Sequence, residues 1–205
     1  MNLNTSEILG LEDRYRRNLI NSLLGPKSVV LVGSVSVNGI YNLAPFSQVF
    51  HVGANPPLAG LLFRPDSVPR HTLTNIRKTG FFTIQSIAEP WFAEAHQCSA
   101  RYPEEVSEFE AMQLEPETID GFAAPFVKNA KVKIGLSLKE EINIAINKTI
   151  LVVGMIEKLI VPDDAVEEDG FLNPMETGAI AAAGLDSYYS LNHLARLKYA
   201  KPHLL

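Results

Sequence analysis

The chain has 205 residues, of which 46% are hydrophobic and 20% are charged, and it carries a net charge of −5. These values are typical of one globular domain, and the lack of a basic run argues against a nucleic-acid partner. The single cysteine excludes a disulfide within the chain and fits a reducing compartment. The N-terminus lacks a signal-peptide pattern and no apolar run is long enough for a bilayer, so we expect a cytoplasmic protein with no membrane partner.

The first part of the chain predicts a helix followed by a strand hairpin. Apolar residues recur at helical spacing until Gly25-Pro26 and predict an N-terminal helix at 11–24. The valine-rich segment 27–37 predicts a strand, and Asn38-Gly39 after it predicts a type I′ hairpin turn. The returning strand meets Pro45, which cannot donate a backbone hydrogen bond, so we expect a bend or bulge there.

A short helix and further strands follow. Thr72 is a good helix N-cap and Gly80 a good helix end, and together they predict a helix between them. Gly154 predicts a bulge in the last long strand. Apolar runs and period-two alternation predict strands at 50–52, 58–63, 81–85, 131–138, 142–146 and 149–161.

Helical patterns at 90–99, 104–112 and 191–199 complete the predicted elements, and we expect Glu104, Glu105, Glu108 and Glu110 to form a solvated helix face. Hairpin signals and alternation favour antiparallel pairing, so the chain is mainly β with inserted helices. A closed or nearly closed barrel would remove the sheet edges. We expect one domain over 1–205, with a barrel core at about 27–161 and a C-terminal extension at 162–205.

The loop between the strand at 58–63 and the next helix concentrates side chains that suit an anion. Helix N-termini present unpaired N–H groups and a partial positive charge, and arginine and hydroxyl side chains beside them form a phosphate cradle. The same loop also fits a capped helix with exposed charges, and the loop alone favours this simpler interpretation. The residues concerned are Arg64, Ser67, Arg70, His71 and Thr72.

The segment from Asn42 to Gln48 offers a second set of polar groups. It combines amide and hydroxyl side chains with backbone N–H groups that an irregular strand leaves free, and these groups need a ligand or water as a partner. Alone, the segment fits a barrel-closing bulge better than a binding site. The sequence has no Gly-x-Gly-x-x-Gly or P-loop motif, so a Rossmann or P-loop nucleotide site is not supported.

Several short motifs occur in order in the first half of the chain. They are Gly25-Pro26-Lys27, Asn42-Leu43-Ala44-Pro45-Phe46-Ser47, Asn55-Pro56-Pro57-Leu58, Thr72 with Asn75-Ile76, and Thr79-Gly80-Phe81-Phe82. This ordered set resembles the flavin reductase-like family, closely over residues 25–86 and more loosely over 131–189. The resemblance implies an antiparallel split β-barrel of the FMN-binding type. It also implies that FMN is bound non-covalently, usually at the interface of a homodimer.

The resemblance further implies which residues contact the cofactor. In the family, an Asn-x-Ala-Pro-x-Ser stretch runs along the isoalloxazine ring and ribityl chain, and a Lys-Asp-Thr triplet precedes the helix. The triplet here is Arg70-His71-Thr72, which keeps the positive charge and the threonine but departs from the family at His71. A guanidinium fork suits a phosphate dianion, so we expect this triplet to hold the FMN phosphate. The candidate cofactor-binding residues are Asn42, Leu43, Ala44, Pro45, Ser47, Gln48, Arg64, Ser67, Arg70, His71, Thr72 and Asn75, and the candidate flavin walls are Phe46, Phe63 and Tyr188.

The function implied by the resemblance is that of an FMN-binding oxidoreductase. NADH or NADPH would deliver a hydride to flavin N5, and the electrons would pass to flavin or another small acceptor, with a monooxygenase as a possible partner. The alternative is an FMN-binding electron carrier that passes electrons to a protein partner without using NAD(P)H directly. Because the cofactor carries the redox chemistry, no catalytic side chain is assigned.

Other reactive side chains give weaker signals. His51, His71 and His193 are the residues to test first as proton donors. The five histidines, His203 included, lack metal-ligand spacing, so no metal site is expected. Cys98 stands in no recognised nucleophile context and is expected to be inert.

Overall fold

A computed structural model describes residues 1–202 of the chain, and His203 lies outside the described residues. Most of the regular structure is β. The strands are β1 Lys27–Ser28, β2 Val30–Val35, β3 Tyr41–Phe46, β4 Val49–Ala54, β5 Pro57–Phe63, β6 Phe81–Ser86, β7 Pro116–Glu117, β8 Phe126–Val127, β9 Lys133–Ile144, β10 Thr149–Ile160, β11 Ala181–Ala183 and β12 Ser187–Tyr189. The helices are α1 Thr5–Gly10, α2 Asp13–Ser22, α3 His71–Thr79, α4 Phe92–Gln97, α5 Glu108–Ala111 and α6 Pro174–Thr177, with 3₁₀ turns at Glu89–Trp91 and Asp163–Ala165.

The main sheet has seven antiparallel strands in the order β3-β2-β6-β9-β10-β5-β4. Two smaller sheets, β1-β11-β12 and β7-β8, lie outside it. This arrangement confirms the prediction of a mainly β, antiparallel fold with inserted helices. The expectation of a closed or nearly closed barrel needs correction, because the large sheet remains open with β3 and β4 as its two edges.

The two edges of this sheet are consecutive in the chain. Only Ser47 and Gln48 separate the end of β3 from the start of β4. Three peptide steps span at most about 11 Å, so the sheet must curl until the end of β3 lies within that distance of the start of β4. The carbonyl of Gln48 accepts a hydrogen bond from Leu62 of β5 at 3.0 Å, which fixes the crossing. We call this junction, residues 42–48, the seam of the barrel.

Apolar side chains pack on both faces of the sheet because successive strand residues point in opposite directions. On β2, Leu31 belongs to one cluster and Val32 to the other. The cluster inside the barrel is covered by α3 through Leu73 and Ile76. The outer cluster is covered by the segment that carries α4 and α5, and it includes Cys98, which is buried.

Several predicted elements are confirmed. Helix α3 ends at Gly80, which has φ 77° and donates its N–H to the carbonyl of Ile76 at 2.9 Å. The register of β10 against β9 shifts between Val153 and Gly154, which confirms the predicted bulge. The strands predicted at 50–52, 58–63 and 81–85 lie within β4, β5 and β6, and β10 covers the strand predicted at 149–161 except for its last residue.

The hairpin after β2 has a different turn from the type I′ turn predicted. Gly39 has φ 82°, whereas Asn38 is not among the residues with positive φ. The turn closes with a hydrogen bond from Gly39 N–H to the Ser36 carbonyl at 3.0 Å, and Ser36 N–H reaches the Ile40 carbonyl at 2.9 Å. The loop therefore has three residues and a single left-handed glycine, which is the next commonest hairpin form.

Two other local predictions are wrong. The bend or bulge expected at Pro45 does not occur, since β3 pairs with β2 through Pro45 without a register shift. Pro45 is tolerated there because β3 is an edge strand, and one side of an edge strand needs no ladder partner. The N-cap of α3 is Arg70 rather than Thr72, and Thr72 lies buried in the first turn.

Some helices are also shorter than predicted. The helix predicted at 11–24 is the shorter α2, which is capped by the carboxylate of Glu12, and a further helix, α1, precedes it. The helix at 104–112 shrinks to the four residues of α5, and the helix at 90–99 is a 3₁₀ turn followed by α4. The segment 191–199 has no regular secondary structure and its side chains are exposed or nearly so. Short helices are marginal without packing, which explains this difference. No helix within residues 1–202 combines the length and apolar character that crossing a membrane requires.

Candidate functional site

The structure joins the two segments in which the sequence placed its candidate residues. Asn42 on β3 and Thr72 in α3 are 30 positions apart, and both are buried. The Nδ2 of Asn42 donates a hydrogen bond to the Oγ1 of Thr72 at 2.9 Å. The seam and the start of α3 are therefore two walls of one region.

A second contact holds the seam from the outside of the sheet. The backbone N–H of Leu43 donates to Oε2 of Glu108 at 2.9 Å. Glu108 is only 5% exposed, and burial raises the pKa of its carboxyl group above the ordinary range. The expectation that Glu108 lies on a solvated helix face is therefore wrong, because α5 turns this residue inward to satisfy an edge-strand donor.

Helix α3 is oriented by a third buried polar contact. Asn75 donates from Nδ2 to the Oγ of Ser34 on β2 at 3.2 Å, and both residues are buried. Leu43 is fully buried in the outer core. Asn75 and Leu43 therefore shape the region through packing, and their side chains point away from solvent.

Three arginines converge at the N-terminus of α3. Arg70 donates from Nε and Nη2 to the carbonyl of Pro65, each at 3.3 Å. Burial and the nearby charges of Arg64 and Arg101 lower the pKa of Arg70. Within residues 1–202, no carboxylate forms an ion pair with Arg64, Arg70 or Arg101. The nearby carboxylate of Asp66 offsets part of this positive charge. In a chain with net charge −5, a cluster of three arginines around one carboxylate favours an anion.

A cavity of about 270 Å³ opens beside the seam. It brings part of the predicted site together with α4 and the turn between β11 and β12. Two of its lining residues are in contact, since Nδ1 of His96 lies 2.9 Å from the hydroxyl of Tyr188. The lining residues are Val29, Pro45, Phe46, Ser47, Arg64, His96, Ser99, Ala182, Gly184, Leu185 and Tyr188.

The remaining candidate residues do not line this cavity. Gln48 and Ser67 are exposed, and Ala44 and His71 are half-buried. Of the candidate flavin walls, Phe46 and Tyr188 line the cavity, whereas Phe63 is buried behind Phe46 at 4.9 Å between ring centroids.

The other histidines give no cluster. His51 and His193 are exposed and outside the cavity lining. No group of three or more His, Cys, Asp or Glu side chains within the described part of the chain is placed to hold a metal ion.

Sequence reasoning missed four residues near the site. His96 belongs to α4, Ser99 and Arg101 follow it, and Glu108 begins α5. The helical pattern at 90–112 was visible, but nothing in its spacing shows that it packs against β3. An isolated cluster of histidine, serine and arginine within six positions was the only available signal.

The model of the flavin reductase like domain matches residues 24–178. The chain belongs to the flavin reductase-like family. Among similar sequences, an uncharacterized protein of Aquifex aeolicus is 33% identical over 122 residues, and one of Halalkalibacterium halodurans is 28% identical over 138 residues. The matches cover 58% and 66% of this chain, and 62% and 65% of the lengths of those two relatives.

The fold of this flavin reductase-like chain is similar to that of several solved structures. A candidate flavin reductase with a split barrel domain from Shewanella frigidimarina superposes with a TM-score of 0.93 and 45% identity, covering 98% of this chain and 100% of that chain. Nitrilotriacetate monooxygenase component B from Bacillus cereus follows with a TM-score of 0.85, 23% identity and coverage of 96% and 98%.

A third similar structure is flavoredoxin of Desulfovibrio vulgaris, with a TM-score of 0.73, 19% identity and coverage of 85% and 92%. The last two likenesses concern the fold alone. The split barrel is confirmed, and family membership supports a flavin-related oxidoreductase.

Proposed function

We propose that the protein binds FMN at the seam and uses NADH or NADPH to reduce flavin or another small acceptor. The observation that carries this proposal is the hydrogen bond between Asn42 and Thr72, which brings the seam against the arginine-rich start of α3. A flavin mononucleotide has a planar ring at one end and a phosphate at the other. The seam would suit the planar ring, and the arginine-rich start of α3 would suit the phosphate.

The phosphate would lie at the N-terminus of α3. The first N–H groups of a helix have no partner within it, and Thr74 is the first residue of α3 whose N–H bonds back to Arg70. Arg70 itself uses Nε and Nη2 on the Pro65 carbonyl, which leaves Nη1 to donate to a phosphate oxygen. Helix N-terminus and guanidinium together suit a dianion.

The ring would lie along Pro45, Phe46 and Ser47, where the seam reaches the cavity. Phe46 is held edge-on by Phe63, with an angle of 69° between the rings, so this wall is rigid. FMN, when bound, would accept a hydride from NADH or NADPH at N5 and pass electrons on. The protein would supply placement, positive charge and exclusion of water, and no side chain is assigned as a proton donor.

Assembly is part of the same proposal. Strand β4 is an edge strand and exposes Phe50 and Val52. An exposed apolar edge is a site for pairing with another chain, so we propose a homodimer in which a second copy covers β4. Size-exclusion chromatography with light scattering would give the mass of a single chain if this is wrong. We further propose a cytoplasmic location and, as a possible electron acceptor, a monooxygenase.

The phosphate assignment is tested by Arg70→Ala. Because only FMN carries the phosphate, affinity for FMN should fall about tenfold or more, while affinity for riboflavin should change little. Arg77→Ala is the matched control, since Arg77 lies on the same helix but is paired with Glu141 and Asp66. Fluorescence titration of the apoprotein with each flavin measures both affinities. Equal losses for FMN and riboflavin would refute the assignment.

The likeness to flavoredoxin favours a second candidate function, an FMN-binding electron carrier that passes electrons to a protein partner without using NAD(P)H directly. Anaerobic addition of NADH or NADPH to FMN-loaded protein separates the two functions. If the protein is a reductase, NADH or NADPH should remove the visible absorbance of the oxidised flavin. No bleaching with either, together with bleaching by dithionite, would favour the carrier.

A further inference from the structure

We propose that the C-terminal segment 190–202, which we call the arm, packs on the exposed β4 edge of a second copy of the chain. This inference rests on the proposed homodimer and goes further, since it names the segment of one copy that covers β4 in the other. The arm lies outside the family match at 24–178, so the family model does not describe it. Three properties support the inference: the exposed leucines of the arm, its positive charge and the uncovered state of β4.

The arm carries apolar side chains that its own copy leaves in solvent. Leu191, Leu194 and Leu197 recur at every third position, and this repeat belongs to the segment 191–199 in which the sequence predicted a helix. In the structure Leu194 is 91% exposed, Leu197 is 87% exposed and Tyr199 is 92% exposed. Single exposed apolar side chains are ordinary, but a run of them among polar residues is typical of a protein interface.

A single residue fastens the arm to its own copy. Within residues 1–202, the arm forms hydrogen bonds only through Arg196, which bonds to Glu167 at 2.7 Å and to Asp169, and lies 4.4 Å from the centroid of the Phe171 ring. The superposition on the Shewanella frigidimarina structure covers 98% of this chain and so includes most of the arm. An ordered backbone costs conformational entropy at every residue, whereas a partly exposed ion pair contributes little stability. Further contacts are therefore needed to hold the arm, and the described part of one copy does not provide them.

The charge of the arm favours the acidic body of a second copy as its partner. Residues 190–202 contain Arg196, Lys198 and Lys201 and no acidic residue, so their net charge is +3. Since the whole chain has a net charge of −5, removing this +3 leaves −8 for the remainder. A basic segment is attracted to such a body, and Arg196 already pairs with the acidic segment 163–169 of its own copy.

Strand β4 is the surface of the second copy that lacks cover. It is an edge strand, and its successive residues Phe50, His51 and Val52 are all exposed. Because successive strand residues point to opposite faces, neither face of β4 is covered over this stretch. An extended segment with apolar side chains is the kind of ligand that binds to such an edge, and the arm has this character. The second copy would offer its own arm in return, because a two-fold interface uses each surface twice.

Replacing the leucines tests the arm without disturbing the fold of one copy, since both are exposed there. On the full chain with FMN present, Leu194→Gln combined with Leu197→Gln should raise the dissociation constant of the dimer at least about 100-fold, because four leucines lose their cover in each dimer. Ile146→Gln is the matched control. Ile146 is 94% exposed but lies in the turn between β9 and β10, so its replacement should change the constant less than about threefold. Analytical ultracentrifugation over a dilution series measures these constants, and circular dichroism checks that each variant is folded.

Crosslinking tests where the arm lies on the other copy. Leu197→Cys and Val52→Cys are placed in separate chains that are co-expressed, so a link between the two positions must join different copies. A short bismaleimide should join position 197 of one chain to position 52 of the other, and mass spectrometry of the linked peptides identifies the pair. Cys98 is buried and should not react in the folded protein.

The outcomes separate this inference from the proposed function. A wild-type chain that stays monomeric at every concentration would overturn both the homodimer and the arm contact. An unchanged dissociation constant in the double leucine variant, or a dimer with no link between positions 197 and 52, would overturn the arm contact and leave the homodimer in place. Binding of the wild type but not of the leucine variant to phosphatidylglycerol vesicles, with an unchanged dimer, would assign the arm to an anionic membrane surface instead. FMN binding is measured independently, by the flavin absorbance that the protein retains after gel filtration.

Discussion

Glu108 offers the sharpest test of how the seam is held in place. Its carboxylate accepts the N–H of Leu43 at 2.9 Å, and Leu43 is fully buried, so no water can replace this acceptor. Glu108→Gln keeps an oxygen acceptor, whereas Glu108→Leu removes it and leaves a buried donor unpaired. An unpaired buried donor costs about 1–3 kcal/mol, so the leucine variant should unfold more easily than the glutamine variant by that amount.

Urea denaturation measures this difference. Trp91, the only tryptophan, packs against the outer core and reports on its unfolding by fluorescence. With a slope of about 2 kcal/mol/M, the two midpoints should differ by roughly 0.5–1.5 M. Equal midpoints for Glu108→Gln and Glu108→Leu would refute the role given to this hydrogen bond.

The pH dependence of the same variants tests the buried charge. Burial raises the pKa of Glu108 in the folded protein, while the unfolded chain titrates near the ordinary value of about 4.3. The unfolded state therefore loses its proton first, and the stability of the wild type falls as pH rises from about 4.3 through the folded pKa and then levels off. His71 and Cys98 are the titratable groups that face this carboxyl group. The free energy of unfolding of Glu108→Gln minus that of the wild type should consequently increase with pH between about 4.3 and the folded pKa of Glu108. A difference that does not change with pH would contradict the raised pKa of this buried carboxyl group.

Three smaller predictions follow from other parts of the fold. A Cβ at position 154 would lie 2.6 Å from Cζ of the buried Phe82, so Gly154→Ala should destabilise the protein by about 1–3 kcal/mol, and an unchanged urea midpoint would contradict this. Burial raises the pKa of the Cys98 thiol to about 12, so iodoacetamide at pH 8 should alkylate it slowly in the native protein and rapidly in urea. The ion pair of Arg77 with Glu141 is partly exposed, so Arg77→Gln should cost less than about 1 kcal/mol, and a cost that does not shrink in high salt would contradict the ionic origin.

Local patterns predicted much of the fold because they depend on neighbours in the chain. The alternation at 131–138 belongs to β9, and Gly80 ends α3 because only a residue that tolerates positive φ fits there. Predictions failed where a distant contact outweighed local preference. Thr72 is a good N-cap by type, but its hydroxyl is committed to Asn42, so the helix begins earlier.

The candidate site was likewise predicted where it depends on local sequence and missed where it depends on distant contacts. The anion-binding character of the loop at 64–72 was visible in its arginines and hydroxyls, and the family resemblance is now confirmed by the match over 24–178. The contacts of FMN with the candidate residues remain a prediction. Of the cavity wall built by the C-terminal strands, Tyr188 was predicted, whereas Ala182, Gly184 and Leu185 were not, because β11 and β12 have three residues each, too few for a period-two pattern to be recognised.

The sequence by itself determined the class of fold, the loop that bears the positive charge and the order of the motifs, since each depends on residue type and short spacing. Tertiary structure alone decided how these parts meet. Asn42 and Thr72 are 30 positions apart, Leu43 and Glu108 are 65 apart, and His96 and Tyr188 are 92 apart. No periodicity spans such distances. These contacts form because the open sheet curls until β3 and β4 are joined by Ser47 and Gln48 alone, and the buried polar groups that this curling brings together must find partners.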